Sequence, residues 1–262
     1  MGAENDTLTI GAGSIVNGKL DGGTGDDTLT FGTNSKVINL TSSTENNIED
    51  SINISHDIAG FENINVGAKV TFASDITVSD ATGIKIGTDG TLTLRVDSDN
   101  TIIDPVSGEE KIKGHALYTT TGTPTITSEG GTLLLAFNKL GNENTVSFGD
   151  TNLGAGIGNN TIGTTSKLHI AERVDGANEI KVIVKWNLPD YLKYTQLNKI
   201  YHGILSAEDL IGNFNVDDDE KLSTFLAYLN GIYAGNPYSY SSELSRKSVG
   251  MFRDIVTDNQ FK

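Results

Sequence analysis

The sequence predicts a mainly β protein: a right-handed parallel β-helix with coils of about 20 residues, followed by a C-terminal α-helical segment. Three observations carry this expectation. Short alternating runs bounded by Gly, Asn, Asp and Ser recur through residue 186. One motif returns after 21 positions, Asp6-Thr7-Leu8-Thr9-Ile10-Gly11 against Asp27-Thr28-Leu29-Thr30-Phe31-Gly32. From residue 187 onward the apolar spacing becomes helical.

The strand runs are Thr7–Ile10, Thr28–Phe31, Ile52–Ile54, Ile64–Val66, Ile84–Ile86, Thr91–Val96 and Thr132–Phe137. Asp50-Ser51-Ile52-Asn53-Ile54 reads as a weaker third copy of the repeat. A period slightly above 20 residues makes each copy one turn of a solenoid. A leucine-rich repeat is the rival at this period, but its L-x-x-L-x-L pattern is missing and the alternation is strand-like. Stacked in register, Leu8, Leu29 and Ile52 would form one interior ladder, with Phe31 also inward and the alternating threonines facing solvent. The last run places Ile180, Val182, Val184 and Trp186 on one face.

Residues 187–262 form the second expected unit. Tyr194, Leu197, Ile200, Tyr201, Ile204 and Leu205 make one helical stripe. Ser206-Ala207-Glu208-Asp209 has the form of a helix start. Asp217-Asp218-Asp219-Glu220 supplies an N-cap and first-turn acids ahead of the apolar face Leu222, Phe225, Leu226, Leu229, Ile232 and Tyr233. Asn236-Pro237 ends that helix, and a third is expected from about Ser241, with Leu244, Met251, Phe252 and Ile255 inward. Helices placed here would cover the last strand edge, which otherwise invites aggregation.

Composition narrows the functional classes. The chain has 262 residues, 30 glycines and only four prolines, which suits many tight turns rather than a linker. Absence of cysteine rules out disulfides, Cys-ligated metals and a thiol nucleophile. A net charge of −15 argues against nucleic acid as a partner, because a phosphate backbone needs a basic footprint. No apolar run approaches the roughly 18 residues of a membrane helix, so no membrane insertion by these residues is expected. The opening MGAENDTLTI has neither a basic nor an apolar leader region, so a secreted protein would carry this chain as part of a longer one.

Candidate chemistry is sparse. Gly22-Gly23-Thr24-Gly25-Asp26-Asp27-Thr28-Leu29-Thr30 fits the calcium nonapeptide G-G-x-G-x-D-x-U-x, which makes Asp21 and Asp27 weak calcium candidates. Calcium wants six to eight oxygens, and no second nonapeptide follows directly, so one copy supplies half a site at best. The preferred reading is therefore a turn: Gly22, Gly23 and Gly25 set a corner needing positive φ, Asp27 hydrogen-bonds locally, and neither metal nor cofactor is expected. Leu8, Leu29, Ile52 and Trp186 are the remaining structural candidates, from the ladder and the last run. None of His56, His115, His169 and His202 sits in a catalytic context, and Gly163-Thr164-Thr165-Ser166 only faintly echoes a nucleophile motif. No catalytic residue is assigned. Gly154-Ala155-Gly156-Ile157-Gly158 lacks both the dinucleotide spacing and a basic neighbour. Phe225, Tyr228, Tyr233, Tyr238 and Tyr240 read as core rather than as a carbohydrate platform.

Runs such as Gly60-Phe61-Glu62-Asn63-Ile64-Asn65-Val66, Gly90-Thr91-Leu92-Thr93-Leu94 and Gly130-Gly131-Thr132-Leu133-Leu134-Leu135 are similar to β-helix coils of autotransporter passengers. With Gly114-His115-Ala116-Leu117-Tyr118 and the ending from Ile232 to Ser245, the chain resembles the C-terminal passenger region of Gram-negative type V autotransporters. Within that family it looks like the subgroup carrying a subtilisin-type serine protease head. The resemblance implies a non-catalytic stem, residues 1–186, and a helical cap or linker, residues 187–262, leading towards an outer-membrane barrel. Its partners would be its own N-terminal head and that barrel, with a host surface ligand as a further expectation. Its location would be the cell surface or the secreted fraction. The family's protease residues match no positions here, so this portion is expected not to be an enzyme. An adhesin-type module for a host glycan or protein, and an accessory domain of a parent protease, are the alternatives.

Overall fold

The computed structural model describes residues 1–11, 18–32, 52–54, 57–72, 75–78, 83–114, 117–118, 123–149, 151–205 and 215–233. The described chain is mainly β, with parallel sheets. In chain order the first strands are β1 (Thr7–Ile10), β2 (Leu20–Asp21), β3 (Thr28–Phe31), β4 (Ile52–Ile54), β5 (Ile58–Ala59), β6 (Asn63–Val66) and β7 (Lys69–Phe72). Then come β8 (Ile76–Thr77), β9 (Gly83–Ile86), β10 (Thr91–Val96), β11 (Thr101–Ile103), β12 (Glu110–Lys113), β13 (Leu117–Tyr118) and β14 (Thr125–Ser128). The series ends with β15 (Thr132–Phe137), β16 (Glu143–Ser147), β17 (Asn152–Leu153), β18 (Ile162–Thr164), β19 (His169–Arg173) and β20 (Glu179–Val184). A 3-10 turn at Asp190–Leu192 precedes α1 (Gln196–Leu205) and α2 (Asp219–Tyr233).

The first sheet has the order β1-β3-β6-β9-β14-β17, and every neighbour is parallel. Its register joins Leu8, Leu29, Ile64, Ile84, Ile126 and Leu153 into one ladder. Leu29, Ile64, Ile84 and Ile126 are fully buried, whereas Leu8, on the end strand, is only half-buried. Phe31 points inward as expected and is fully buried. A one-residue slip would turn the whole ladder to the other face, so the alternation itself fixes the register.

The second sheet, β4-β7-β10-β15-β18, is likewise parallel, with Ile52, Val70, Leu92, Leu133 and Ile162 in register. This corrects the expected ladder: Ile52 stands opposite Val70 in the second sheet and does not follow Leu29 in the first. The true third copy is Glu62-Asn63-Ile64-Asn65-Val66, whose Glu62 lies 35 positions after Asp27, while Asp27 lies 21 after Asp6. From β3 to β18 the strands of these two sheets alternate along the chain, so two similar strands compete for the same place in the pattern. Thr7 and Thr9 are exposed as expected, but Thr71 and Thr93 in the second sheet are buried.

The third sheet, β11-β12-β16-β20-β19, is mixed. Only β12 and β16 pair in parallel; the other neighbours are antiparallel. The last run is therefore no further parallel strand. It is the second arm of a hairpin, β19–β20, laid antiparallel on β16. Ile180 and Val182 are fully buried, Val184 is half-buried and Trp186 is 66% exposed. The strand ends at Val184, so its alternation no longer governs Trp186.

The helices bury a second cluster made of Leu188, Tyr201, Ile204, Val216, Leu222, Phe225, Tyr228 and Leu229, together with Leu168 from the turn before β19. Asp218 caps α2 by accepting the Lys221 N–H at 2.6 Å, as the acidic run predicts. Phe225 and Tyr228 are core, in keeping with their spacing. Tyr194 is not part of the helical stripe: it precedes α1 and is 91% exposed. Two hydrogen bonds tie the helical segment to the sheet end. Lys167 N–H donates to the Val216 carbonyl at 2.7 Å, and the Tyr201 hydroxyl donates to the Lys185 carbonyl at 2.8 Å. The expected starts near Ser206 and Ser241 and the break at Asn236-Pro237 lie outside the described residues, as do His56, His115, Tyr238 and Tyr240.

Candidate functional site

The nonapeptide forms the corner between β2 and β3. Gly23 and Gly25 adopt φ of 108° and 140°, where an L side chain is strained. Gly22 is required for space: a Cβ there would lie 1.9 Å from the Gly60 carbonyl oxygen. Asp21 is a surface residue that accepts from Gly23 N–H at 3.2 Å and pairs with Lys19 at 3.4 Å. The expected local role of Asp27 is corrected by its partners. Its Oδ1 accepts the N–H of Asp6 at 2.6 Å, on the preceding rung, and its own N–H donates to Glu62 Oε2 at 2.6 Å, on the following one. Asp27 thus joins three rungs rather than closing its own turn. Among the described residues, no group of three or more His, Cys, Asp or Glu side chains converges as a metal cluster.

Ser166 and His169 do come together. Ser166 Oγ lies 2.7 Å from His169 Nδ1, and His169 Nε2 lies 3.0 Å from the Gly141 carbonyl oxygen. A carbonyl only accepts, so Nε2 carries the proton and the neutral ring's Nδ1 accepts from the Ser166 hydroxyl. Burial pushes the His169 pKa down, partly offset by the Gly141 hydrogen bond, and the charge of Lys185 lowers it further. A hydrolytic serine needs an open Oγ and an acid behind the histidine. Here both side chains are buried and a backbone carbonyl takes the acid's place. The pair pins the turn after β15 to the turn before β19. The sequence placed Ser166 near a nucleophile motif but gave no sign that His169 would be its partner.

Two surface features escaped the sequence reading. The β11–β12 hairpin projects between β10 and β13, with Ile103 and Val106 exposed. Its base is held by Lys111, whose Nζ donates to Asp104 Oδ2 at 2.6 Å and to Glu179 Oε1 at 2.8 Å. The Lys111 hydrogen bond, with the Ser107 and Val106 N–H groups, holds the Asp104 carboxyl well below the usual range. Hydrogen bonds to Asp104 and Glu179 raise Lys111 correspondingly. The second feature is aromatic: Trp186, Tyr191 and Tyr194 are exposed within nine positions, and Trp186 stacks on His202 with ring centroids 4.4 Å apart. His202 and Asn198 share the Asn187 side-chain oxygen, which fastens α1 to this segment.

Comparison of the chain with protein-family models, curated proteins and solved structures finds no match to any of them.

Proposed function

We propose that the chain is the non-catalytic stem of a secreted or surface autotransporter, built as a right-handed parallel β-helix over residues 1–186. Residues 187–262 serve as its helical cap and as the link towards an outer-membrane barrel. The observation that carries this reading is the six-rung parallel ladder from Leu8 to Leu153, joined in register across turns of unequal length. A stack of this kind holds an upstream head at a fixed distance. It also folds by adding rungs to those already formed, because each rung contacts only its neighbours. Burial at roughly 25 cal/mol per Å2 of apolar surface then supplies the drive without ATP. Folding from the C-terminal end is the autochaperone role, and the antiparallel hairpin β19–β20 with its attached helices supports that end as the first-formed base. The inward-turned Ser166–His169 pair supports a structural rather than a catalytic use.

The test places the chain between a secreted reporter head and an autotransporter barrel and scores surface display of the head. Display should require residues 187–262. Equal display with and without them would sink the autochaperone role. A second reading, adhesion to a host glycan, is favoured by the exposed Trp186, Tyr191 and Tyr194 rings, since sugars stack on such faces. Glycan-array binding by the isolated chain that disappears in Trp186→Ala would support it, and absence of binding would dismiss it.

A further inference from the structure

Among the described residues, the exposed tryptophan and tyrosine rings all lie in one stretch, Trp186, Tyr191 and Tyr194. They gather round the start of α1. Asn198, buried on that helix, donates to the Asn187 side-chain oxygen beside Trp186 and to the Lys193 carbonyl beside Tyr194. Each of these two flanking rings has an ammonium for a neighbour. Lys193 Nζ lies 5.8 Å from the centre of the Tyr194 ring. Lys199 and His202, three positions apart, share a face of α1, and Trp186 stacks on His202, so Lys199 stands next to that stack. Lys193 and Lys199 are exposed, and among the described residues neither forms an ion pair. Residues 185–199 hold three lysines and one aspartate, a net charge of +2 in a chain whose total is −15.

Rings beside cations suit two kinds of partner, a sugar and a lipid bilayer. A sugar site is concave and adds hydrogen-bonding groups aimed at the ligand. Here the rings protrude instead, Tyr194 with 91% of its surface exposed. The Asn198 amide is spent inward on Asn187, on the Lys193 carbonyl and on the Leu188 N–H. One face of Trp186 is covered by His202. A bilayer needs no pocket. Trp and Tyr, apolar in body and polar at the tip, settle at the level of the lipid headgroups. A lysine near an anionic headgroup surface strengthens binding about fivefold. We infer that Trp186, Tyr191 and Tyr194, with Lys193 and Lys199, form a peripheral docking surface for an anionic phospholipid bilayer, which they touch without spanning it. The acidic remainder of the chain does not prevent this contact, because charges more than about 8–10 Å from the lipid are largely screened at physiological ionic strength. A stem could display its head without such contact, so the two roles succeed or fail separately.

The experiment mixes the full 262-residue chain with vesicles of phosphatidylglycerol and phosphatidylcholine and follows the emission of Trp186, the single tryptophan. Flotation gives the bound fraction. Expected are a blue shift, partition that weakens as salt is added, and little partition onto phosphatidylcholine alone. Tyr194→Ala removes a ring that packs on little else, so the fold is kept, and should weaken partition about tenfold. Lys199→Gln should weaken it about fivefold. Val106→Ser, on an apolar side chain exposed at the β11–β12 tip, should leave it unchanged. No partition by the parent chain overturns the surface, as does undiminished partition by either Tyr194→Ala or Lys199→Gln. An equal loss in Val106→Ser also overturns it, since general stickiness would then be the cause. Equal partition onto phosphatidylcholine alone overturns the choice of an anionic bilayer. Capture of a glycan that depends on Tyr194, without vesicle binding, gives the rings to a sugar and overturns the bilayer.

Discussion

Truncating one ladder at two places tests whether packing between rungs sets the stability. Ile84 is fully buried and sits between Ile64 and Ile126, both also fully buried. Ile84→Ala removes three carbons, worth about 2.4 kcal/mol at about 0.8 kcal/mol each. Backbone pairing on both sides keeps Ile64 and Ile126 from closing the gap, so a cavity cost is added. The total should lie near the middle of the Ile→Ala range, about 3–4 kcal/mol. Leu8 occupies the same ladder on the end strand, has a partner only at Leu29 and is half-buried. Leu8→Ala should therefore cost about 1 kcal/mol, well below the range for a buried leucine. Urea unfolding followed by circular dichroism gives both values. Similar losses for Leu8→Ala and Ile84→Ala would refute the argument, because depth within the stack would then count for nothing.

Asp218→Ala removes the cap of α2 and should cost about 1 kcal/mol, read as a lower Tm with unchanged strand signal; no change in Tm would remove the cap from the account. His169 has its pKa lowered in the fold, so stability is full above the unfolded-state value of about 6.5 and is lost as the pH falls below it towards the folded value. The charge of Lys185 opposes protonation of His169. The fall in Tm between about pH 7 and 5 should be shallower in His169→Gln, and an identical slope would show that His169 does not contribute. Lys111→Ala leaves Asp104 and Glu179 without their shared cation, so limited proteolysis should cut the 97–114 segment faster than in the parent chain. Equal cutting rates would mean that the ion triad does not hold the hairpin.

The first two rungs were legible because Thr7–Ile10 and Thr28–Phe31 repeat both sequence and spacing. The third was not, because a longer connection separates Phe31 from Asn63 and a similar run at Ile52 stands nearer the expected spacing. Periodicity sees distance along the chain, whereas pairing depends on which sheet a strand joins. Trp186 and Tyr194 were misplaced for a related reason. Each continued an apolar pattern past the end of its element, where backbone geometry no longer carries the pattern. At the corner, the glycine spacing announced a turn, with positive φ at Gly23 and Gly25 but not at Gly22, which is needed for space instead. What it could not announce was that Asp27 reaches to Asp6 and Glu62, since those bonds exist only once rungs are stacked.

The chain between β10 and β15 runs through β11, β12, β13 and β14, yet those two strands still match residue for residue, from Thr91 with Thr132 to Val96 with Phe137. Beyond the strand ends, Asp97 and Asn138, 41 positions apart, remain hydrogen-bonded. The length of an excursion is therefore invisible to the stack, as loop-closure entropy grows only slowly with length. Because β12 pairs with β16 and buries Ile112, it is the turn joining β11 to β12 that can change length without disturbing the core. The Val106 tip marks a natural place at which to graft a foreign peptide for display.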